Sequence, residues 1–317
     1  MLRRTRQLGL SLVELMIALT LGAVVSVGVI QLFSANSDTY DLMQGQSRMQ
    51  ESARFALNFI SRSVQSAGFK GCFSTTSEVG TTLTSTSNIP YEFYLNDGMV
   101  GYDGQSTGWL PGSYSTDLGT PFVTGNGIPL ASILGKTDIL TVRSASQNQL
   151  PLVTDMANNS DPVEAKVPSS GLEFAVNDLA IIADCEQSTI FRITSLTMNS
   201  PSAGDVTIGH GTGDIDSTRN DDPMLTHVNS YTKADAAVSA IQTSTFYVAP
   251  GDGYNNVGDH PYSLWRKFGT AAPVELVEGV EDLQFLYGVD TDADGTPNEY
   301  VTGNLVPLND FSQVVTV

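Results

Sequence analysis

Charged residues are scarce in this sequence, and basic ones are scarcest. Only 15% of the 317 residues are charged, and 34 Asp and Glu outnumber 15 Lys and Arg, for a formal net charge of -19. A surface this acidic repels a phosphate backbone, which argues against nucleic acid as a direct partner. The polarity comes instead from Ser, Thr, Asn and 29 glycines. This composition indicates a loop-rich extracytoplasmic β protein.

Histidines and catalytic motifs are also few. The three histidines, His210, His227 and His260, stand far apart without metal-ligand spacing. The sequence contains no GxSxG nucleophile elbow and no glycine-rich phosphate loop followed by a lysine. We therefore predict a protein that is not an enzyme and needs no organic cofactor. The alternative from another class is a membrane-anchored extracellular enzyme or adhesin.

The few bases that exist cluster at the N-terminus. Three arginines lie within the first six residues, and residues 10–33 follow as an apolar run with a single charge, Glu14. These 24 residues are long enough to cross a hydrocarbon core of about 30 Å as a helix. The positive-inside rule keeps the N-terminus cytoplasmic and sends the rest across the membrane. Because the small residue Gly9 precedes the run, cleavage there keeps the apolar helix, unlike cleavage of a secretory signal peptide.

The segment at this junction carries a resemblance to a known family. Residues 9–22, GLSLVELMIALTLG, resemble the processing site of type IV prepilins and of type II secretion pseudopilins. The resemblance implies that a prepilin peptidase cuts after Gly9 and that Leu10 becomes the N-methylated first residue. It also makes Glu14 the fifth residue of the mature chain, a position that functions in filament assembly.

Glu14 is also unusual on physical grounds alone. A carboxylate in an apolar helix costs roughly 2.5–3.5 kcal/mol at the centre of a membrane, so it normally has a partner. The apolar run offers no Lys, Arg or His. The nearest cation is an α-amino group, either that of the same chain or that of a neighbouring subunit. We predict pairing with a neighbour; the alternative is that Glu14 reaches the headgroups.

The helix is predicted to continue beyond the membrane. Apolar residues recur there at spacings of three, four and seven, which is a helical period: Met49, Ala53, Ala56, Ile60 and Ala67. A helix from about residue 10 to 66 would end before Gly68. We thus predict a leader at 1–9, an assembly helix at 10–67 and a β-rich head at 68–317. The fold class is α+β and pilin-like.

The two cysteines, Cys72 and Cys185, both lie on the predicted extracytoplasmic side. Two thiols of one domain in an oxidising compartment usually pair. We predict a Cys72–Cys185 disulfide, which would close a loop of roughly 110 residues and contribute about 4–5 kcal/mol in the chain-entropy model. The alternative is two buried free thiols.

The head lacks a long helical period and shows short runs rich in Val, Ile, Thr and aromatics. Residues 74–88 and 198–222, rich in Ser, Thr, Asp and Gly, are predicted to be long loops. Four aromatics, Tyr247, Tyr262, Trp265 and Phe268, are interpreted as cross-strand pairs in preference to a carbohydrate or partner surface. The predicted strands are Asp138–Arg143, Leu179–Asp184, Thr189–Thr194, Thr245–Val248, Tyr262–Arg266, Val274–Val277, Leu283–Tyr287 and Gln313–Val317.

Three segments of the head add a second resemblance. AGFKGCF at 67–73, ADCEQSTIFRIT at 183–194 and VEGVEDLQFLYGVDTDADG at 277–295 look like PilW-type minor pilins. Such a protein would be a structural subunit that primes assembly of a type IV pilus or lies at its tip, and so serves twitching, adhesion and DNA uptake. Family members run on past the final strand, which leaves the completeness of the C-terminus open.

The resemblance also implies partners and a location. The partners would be other minor and major pilins, the prepilin peptidase and the inner membrane, with a tip adhesin as a further candidate. The chain would lie in the bacterial inner membrane before assembly and in the filament or its tip afterwards, with the head periplasmic and then extracellular. A minor pseudopilin of type II secretion is the closest alternative, because it shares the same kind of helix.

One motif in the head suggests a metal. The sequence DTDADG at 290–295 places acids at alternate positions before a glycine, as calcium loops do. The predicted ligands are Asp290, Asp292 and Asp294, completed by the carbonyl of Thr296 and by Asn298. The twelfth loop position lacks the bidentate glutamate, and no helical pattern flanks the loop. The alternative is therefore a metal-free acidic turn.

Overall fold

A computed structural model of the chain describes residues 11–71, 79–83, 91–93, 95, 97–112, 130–199, 204–212, 220, 224–225, 230–269, 271–306 and 311–317. The chain forms two compact units, Met1–Arg54 and Phe55–Val317. One α-helix, α1 (Leu12–Gln65), has residues in both units. Each unit is described by itself below.

In the first unit, α1 does not contribute to a hydrophobic core. No residue from 11 to 54 is buried, although residues 12–33 are almost all apolar. The helix therefore presents its apolar side chains outward along the entire first unit.

In the second unit, the last turns of α1 pack on a sheet. Ala56 and Ile60, one helical turn apart, are buried in a cluster that includes Phe246 and Leu264. The chain leaves the helix at Gly68, whose φ of 70° lies in the left-handed region favourable to glycine.

The exit from α1 is joined to the sheet by backbone hydrogen bonds. The N–H of Gly68 donates to the carbonyl of Arg143 at 2.8 Å, and the N–H of Arg143 donates to the carbonyl of Gly98 at 2.7 Å. A Cβ on Gly98 would lie 2.4 Å from the nitrogen of Gly68. Glycine at position 98 thus allows the end of the helix to lie directly against the strands.

Sixteen described strands form the head, joined in part by short 3-10 turns at Tyr91–Phe93, Leu130–Ser132, Gly303–Leu305 and Phe311–Gln313. The strands are β1 (Gly80–Thr81), β2 (Met99–Gly104), β3 (Trp109–Leu110), β4 (Ile139–Ala145), β5 (Leu150–Pro151), β6 (Val163–Lys166), β7 (Leu179–Ala183), β8 (Ser188–Arg192), β9 (Ser195–Met198), β10 (Asp205–Gly209), β11 (Ala237–Pro250), β12 (Tyr262–Phe268), β13 (Val274–Glu278), β14 (Tyr287–Val289), β15 (Glu299–Val301) and β16 (Val314–Thr316).

The strands form one large sheet and two small ones. The ten-stranded sheet runs β1-β8-β7-β11-β4-β2-β3, with β5 and β12 also paired to β11 and with β13 on β12. The pairs are antiparallel except for β1 with β8. The three-stranded sheets run β6-β10-β9 and β15-β14-β16. β11, at 14 residues, is the strand on which the large sheet is built.

The predicted fold class is confirmed: a long N-terminal apolar helix precedes a β-rich head. Predicted strands that overlap observed ones are those at β4, β7, β8, β11, β12, β13 and β16. The strand predicted at Leu283–Tyr287 is wrong, because residues 281–286 are irregular and β14 begins only at Tyr287. The predicted loop at 198–222 contains β10. Most of the loop predicted at 74–88 lies outside the described residues.

Candidate functional site

The apolar part of α1 is the first candidate site. It is the one described helix that is long and apolar enough to cross a membrane. Its hydroxyl groups donate to backbone carbonyls one helical turn earlier. Thr20 Oγ1 donates to the Met16 carbonyl at 3.1 Å, and Ser26 Oγ donates to the Gly22 carbonyl at 2.8 Å. Such hydroxyls need no outside partner, so they are compatible with an apolar environment.

Glu14 lies in the first turn of this helix and is exposed. No described residue forms an ion pair with it, since the ion pair found in the described part of the chain joins Lys166 to Asp205. The first basic residue of the described helix is Arg48, more than thirty positions further on. The predicted processing residues Gly9 and Leu10 lie outside the described residues. The Glu14 carboxylate is thus available to a partner from another molecule.

The structure describes one of the two cysteines of the predicted disulfide. Cys185 lies in the turn between β7 and β8, and Cys72 lies outside the described residues. The preceding residue, Gly71, is near β7: a Cβ on Gly71 would lie 3.5 Å from the Cβ of Ala183. This places the chain next to Cys72 close to the strand that leads to Cys185. The disulfide stays a prediction.

The acidic loop after β14 brings its three aspartates together. One carboxylate oxygen from each of Asp290, Asp292 and Asp294 lies within 4.8 Å of the others. Beside them, the N–H of Thr296 donates to the carboxylate of Asp294 at 2.8 Å. The side-chain oxygen of Asn298 accepts a bond from the N–H of Thr291 at 2.6 Å. The arrangement offers three carboxylates to a hard cation, and calcium binding stays a prediction.

Asp290 differs from the other two aspartates of this loop because it is almost buried. Its carboxylate accepts hydrogen bonds from successive backbone N–H groups, among them those of Gly295 at 2.7 Å and Ala293 at 2.7 Å. These bonds, led by the one from Gly295, stabilise the charged form and lower the pKa of Asp290. The loop is therefore closed around an ionised aspartate.

Sequence reasoning missed the structural role of a buried aspartate, Asp138, which directly precedes β4. Its buried carboxylate accepts the N–H of Gly104 at 2.8 Å and the N–H of Phe285 at 2.8 Å, and its own N–H donates to the Leu283 carbonyl at 2.8 Å. Burial is the main cause that raises the pKa of Asp138. This residue fixes the irregular segment 283–285 against the large sheet. The sequence did contain one signal for this role: Asp138 is a charged residue directly before an apolar strand in a chain with few charges.

Two of the four aromatics of the head, Tyr247 and Trp265, form a cross-strand pair. Tyr247 lies directly opposite Trp265 across β11 and β12, and Tyr262 lies opposite Pro250. Tyr247 is fully buried and Trp265 packs against the same cluster. Phe268 pairs with a serine of β11 and is partly exposed. The pairing of Tyr247 with Trp265 therefore contributes to the core of the sheet.

Comparison with known proteins finds family models that match two parts of the chain. Residues 4–30 match the family model of the prokaryotic N-terminal methylation motif, and residues 245–317 match that of the type IV pilus-assembly protein W, PilW. Neither the curated proteins nor the solved structures contain a match to this chain.

An exposed apolar N-terminal helix that precedes a β-rich head is consistent with an α+β, pilin-like fold. The two family matches, which cover residues 4–30 and 245–317, support a minor pilin of the type IV pilus, similar to PilW. The motif and the helix fit membrane anchoring and incorporation into a pilus, and a role in pilus assembly implies contact with other pilins. The matches give no support to the alternatives of a type II secretion pseudopilin or an anchored enzyme or adhesin.

Proposed function

We propose that this minor pilin enters the inner membrane through α1, is cleaved after Gly9 and methylated at Leu10, and then primes assembly of the pilus or takes a place at its tip. Its partners are the prepilin peptidase and other minor and major pilins. The head is periplasmic before assembly and extracellular afterwards. The chain acts as a structural subunit and catalyses no reaction.

The observation that carries this proposal is the single acid in the apolar part of α1. Glu14 is exposed in the first turn of the helix, and no described cation pairs with it. A carboxylate at the edge of a hydrocarbon environment gains most from a cation held at the same depth. The α-amino group of a neighbouring mature pilin supplies that cation. Pairing with it would fix the axial stagger of the two subunits.

The size of the head supports a place at the tip. The second unit comprises Phe55–Val317, and several of its connections are long. A subunit inside the filament has neighbours on all sides, whereas one at the end has fewer. A bulky head is therefore accommodated most easily at the tip, and a subunit that occurs only at the tip is suited to start assembly.

The proposal is tested by replacing Glu14 in the full-length chain in cells. Glu14→Ala should remain in the membrane and be cleaved, but its amount in sheared filaments should fall about tenfold or more, as expected for loss of roughly 1.4 kcal/mol of pairing. Asp38→Ala is the matched control, because Asp38 is an exposed acid of the same helix outside its apolar run.

Normal incorporation of Glu14→Ala would contradict the pairing. Deletion of the whole chain should reduce the number of pili, which is counted by electron microscopy. An unchanged number would contradict the priming role.

A further inference from the structure

Three aromatic side chains of the head surround one arginine and form a partly exposed patch. We call it the Arg266 patch. It consists of Phe55 and Phe59 from the end of α1 and of Arg266 and Phe268 from β12, all within the second unit. The ring centroids of Phe55 and Phe59 lie 6.0 Å apart. Phe55 is 51% exposed and Phe268 38%, so the rim of the patch faces solvent.

The guanidinium group of Arg266 is held in place by two rings and a hydroxyl. Its Cζ lies 5.1 Å from the centroid of the Phe59 ring and 4.4 Å from that of Phe268, as in cation–π contacts. Its Nε and Nη2 donate to the Ser244 hydroxyl at 3.1 and 2.9 Å. Arginine has five N–H donors, so the two bonds to Ser244 leave three that no described residue accepts. Arg266 thus presents fixed donors to a further group.

Arg266 also lacks a counterion. No carboxylate in the described part of the chain forms an ion pair with it, although Asp and Glu outnumber Lys and Arg by 34 to 15. Burial lowers the pKa of Arg266, as expected for a cation that no described acid compensates. A planar guanidinium binds a carboxylate through two parallel hydrogen bonds, so a half-buried arginine gains when a carboxylate is supplied. The missing counterion points to an acidic ligand.

The composition of the patch is typical of a protein–protein contact. Arginine and aromatic residues are enriched where proteins bind each other, and they contribute much of the binding energy there. Nucleic acid is a poor alternative, because the net charge of -19 repels a phosphate backbone. A protein segment that contains a carboxylate therefore fits the patch best.

We propose that the Arg266 patch binds an acidic segment of another pilin subunit, in which one Asp or Glu pairs with Arg266 and apolar neighbours cover Phe55 and Phe268. The two carboxylate oxygens accept from the free N–H groups of the guanidinium. The partner thus supplies the counterion that the described part of this chain does not. This inference rests on the proposed function, because the partner is a subunit of the same filament.

Two observations favour a pilin as the partner. Phe55 and Phe59 lie on α1, the helix that the proposed function places against other subunits, so a subunit packed along the end of α1 reaches the patch. Arg266 and Phe268 lie in the part of the chain that matches the PilW family. The patch thus combines the assembly helix with the PilW-like segment.

The test is site-specific photocrosslinking of the full-length chain in piliated cells. A benzophenone amino acid, which keeps an aromatic ring, replaces Phe268 in the patch or, as the control, Val257 in the loop between β11 and β12, where it is 81% exposed. We expect position 268, but not position 257, to form an adduct that mass spectrometry maps to an Asp- or Glu-containing segment of another pilin. An adduct to a segment without an acid, to this chain itself, to lipid or to nucleic acid, or no adduct, would overturn the inference.

A carboxylate supplied by the chain itself provides the second readout. Phe268→Glu places an acid beside Arg266, where it should occupy the guanidinium and reduce the amount of other pilins that copurify with the full-length chain about tenfold or more. Val257→Glu adds the same charge outside the patch and should leave that amount unchanged. Both variants should melt like the wild type, because both positions are exposed. Undiminished copurification with Phe268→Glu would refute the inference.

Arg266→Lys tests the planar group itself. Lysine keeps the charge but cannot form two parallel bonds to one carboxylate, so copurification of other pilins should fall severalfold without a change in melting. Wild-type copurification would limit Arg266 to holding Phe59 against the sheet and would contradict the inference.

The two proposals fail in different ways. If the chain is absent from sheared filaments and its deletion leaves pili unchanged, both fall. If the chain is present in filaments but position 268 captures no pilin, only the role of the Arg266 patch is eliminated.

Discussion

The two units of this protein handle apolar residues in opposite ways. In the first unit no residue from 11 to 54 is buried, although the helix contains a run of leucines and valines. In the second unit Phe246, Leu140 and Tyr287 are almost completely buried in a core that also includes the end of α1. The head satisfies its own hydrophobic surface, whereas the helix leaves its surface to lipid or to other subunits. The comparison separates residues that stabilise the fold from residues that assemble a filament.

The largest expected effect concerns the head and its predicted disulfide. Cys185→Ser should lower the free energy of unfolding by about 4–5 kcal/mol, because the unfolded chain would regain the freedom of a loop of roughly 110 residues. The measurement is urea unfolding of the full-length chain in detergent. Reductant should destabilise the wild type equally and leave the variant unchanged. Two titratable thiols in unreduced protein would disprove the bridge.

A matched pair of substitutions tests the comparison directly. Phe246→Ala should destabilise the head by about 3–5 kcal/mol, because it leaves a cavity beneath α1. Leu19 is 65% exposed, so Leu19→Ala should change the free energy of unfolding of the head by less than about 0.5 kcal/mol. Only Leu19→Ala should reduce incorporation into filaments without lowering stability. Equal destabilisation by both variants would break the comparison.

The buried Asp138 gives a smaller effect with a characteristic pH dependence. Asp138→Asn should cost about 1–3 kcal/mol, because an amide cannot accept both N–H bonds. Burial raises the pKa of Asp138 above the ordinary 3.8, so the folded head holds this proton more tightly than the unfolded chain. Wild-type stability should therefore decrease as pH rises from about 4 through the raised pKa.

Unfolding measured between pH 4 and 7 checks this prediction. The slope due to position 138 should be absent in Asp138→Asn. If the stability of the wild type relative to the variant instead increased as pH rises, the prediction would be contradicted.

The smallest effect is expected at the acidic loop, where calcium binding is still a prediction. A weak extracellular type of site would stabilise the head on the order of 1 kcal/mol at millimolar calcium. Asp292→Asn should abolish that stabilisation, because it removes one of the three converging carboxylates. Calorimetric titration of the wild type with calcium alone measures the binding. If no heat of binding is measured at millimolar calcium, the loop is a metal-free turn closed by Asp290.

The sequence was most informative where the signal is local. The helical period and apolar run predicted α1 to within two residues of its observed start and of its end at Gln65. Runs rich in β-branched residues likewise predicted β7, β8 and β12. These signals suffice because each residue pattern reflects the face of one element.

Features that depend on distant contacts were missed. Alternation of Leu283 and Phe285 resembles a strand, but Asp138, about 147 positions earlier, holds this segment in an irregular conformation. β10 was missed because it lies within a stretch rich in Ser, Thr, Asp and Gly, a composition that predicts a loop.

The central claim is that α1 is exposed to serve assembly after removal of a leader. It is tested most directly by the mass and first residue of the mature protein, from cells with and without their prepilin peptidase. We predict a chain that begins at N-methylated Leu10 in the first case and an uncleaved chain in the second. An intact Met1 in both, or cleavage beyond residue 30, would contradict the account and remove the role of Glu14 with it.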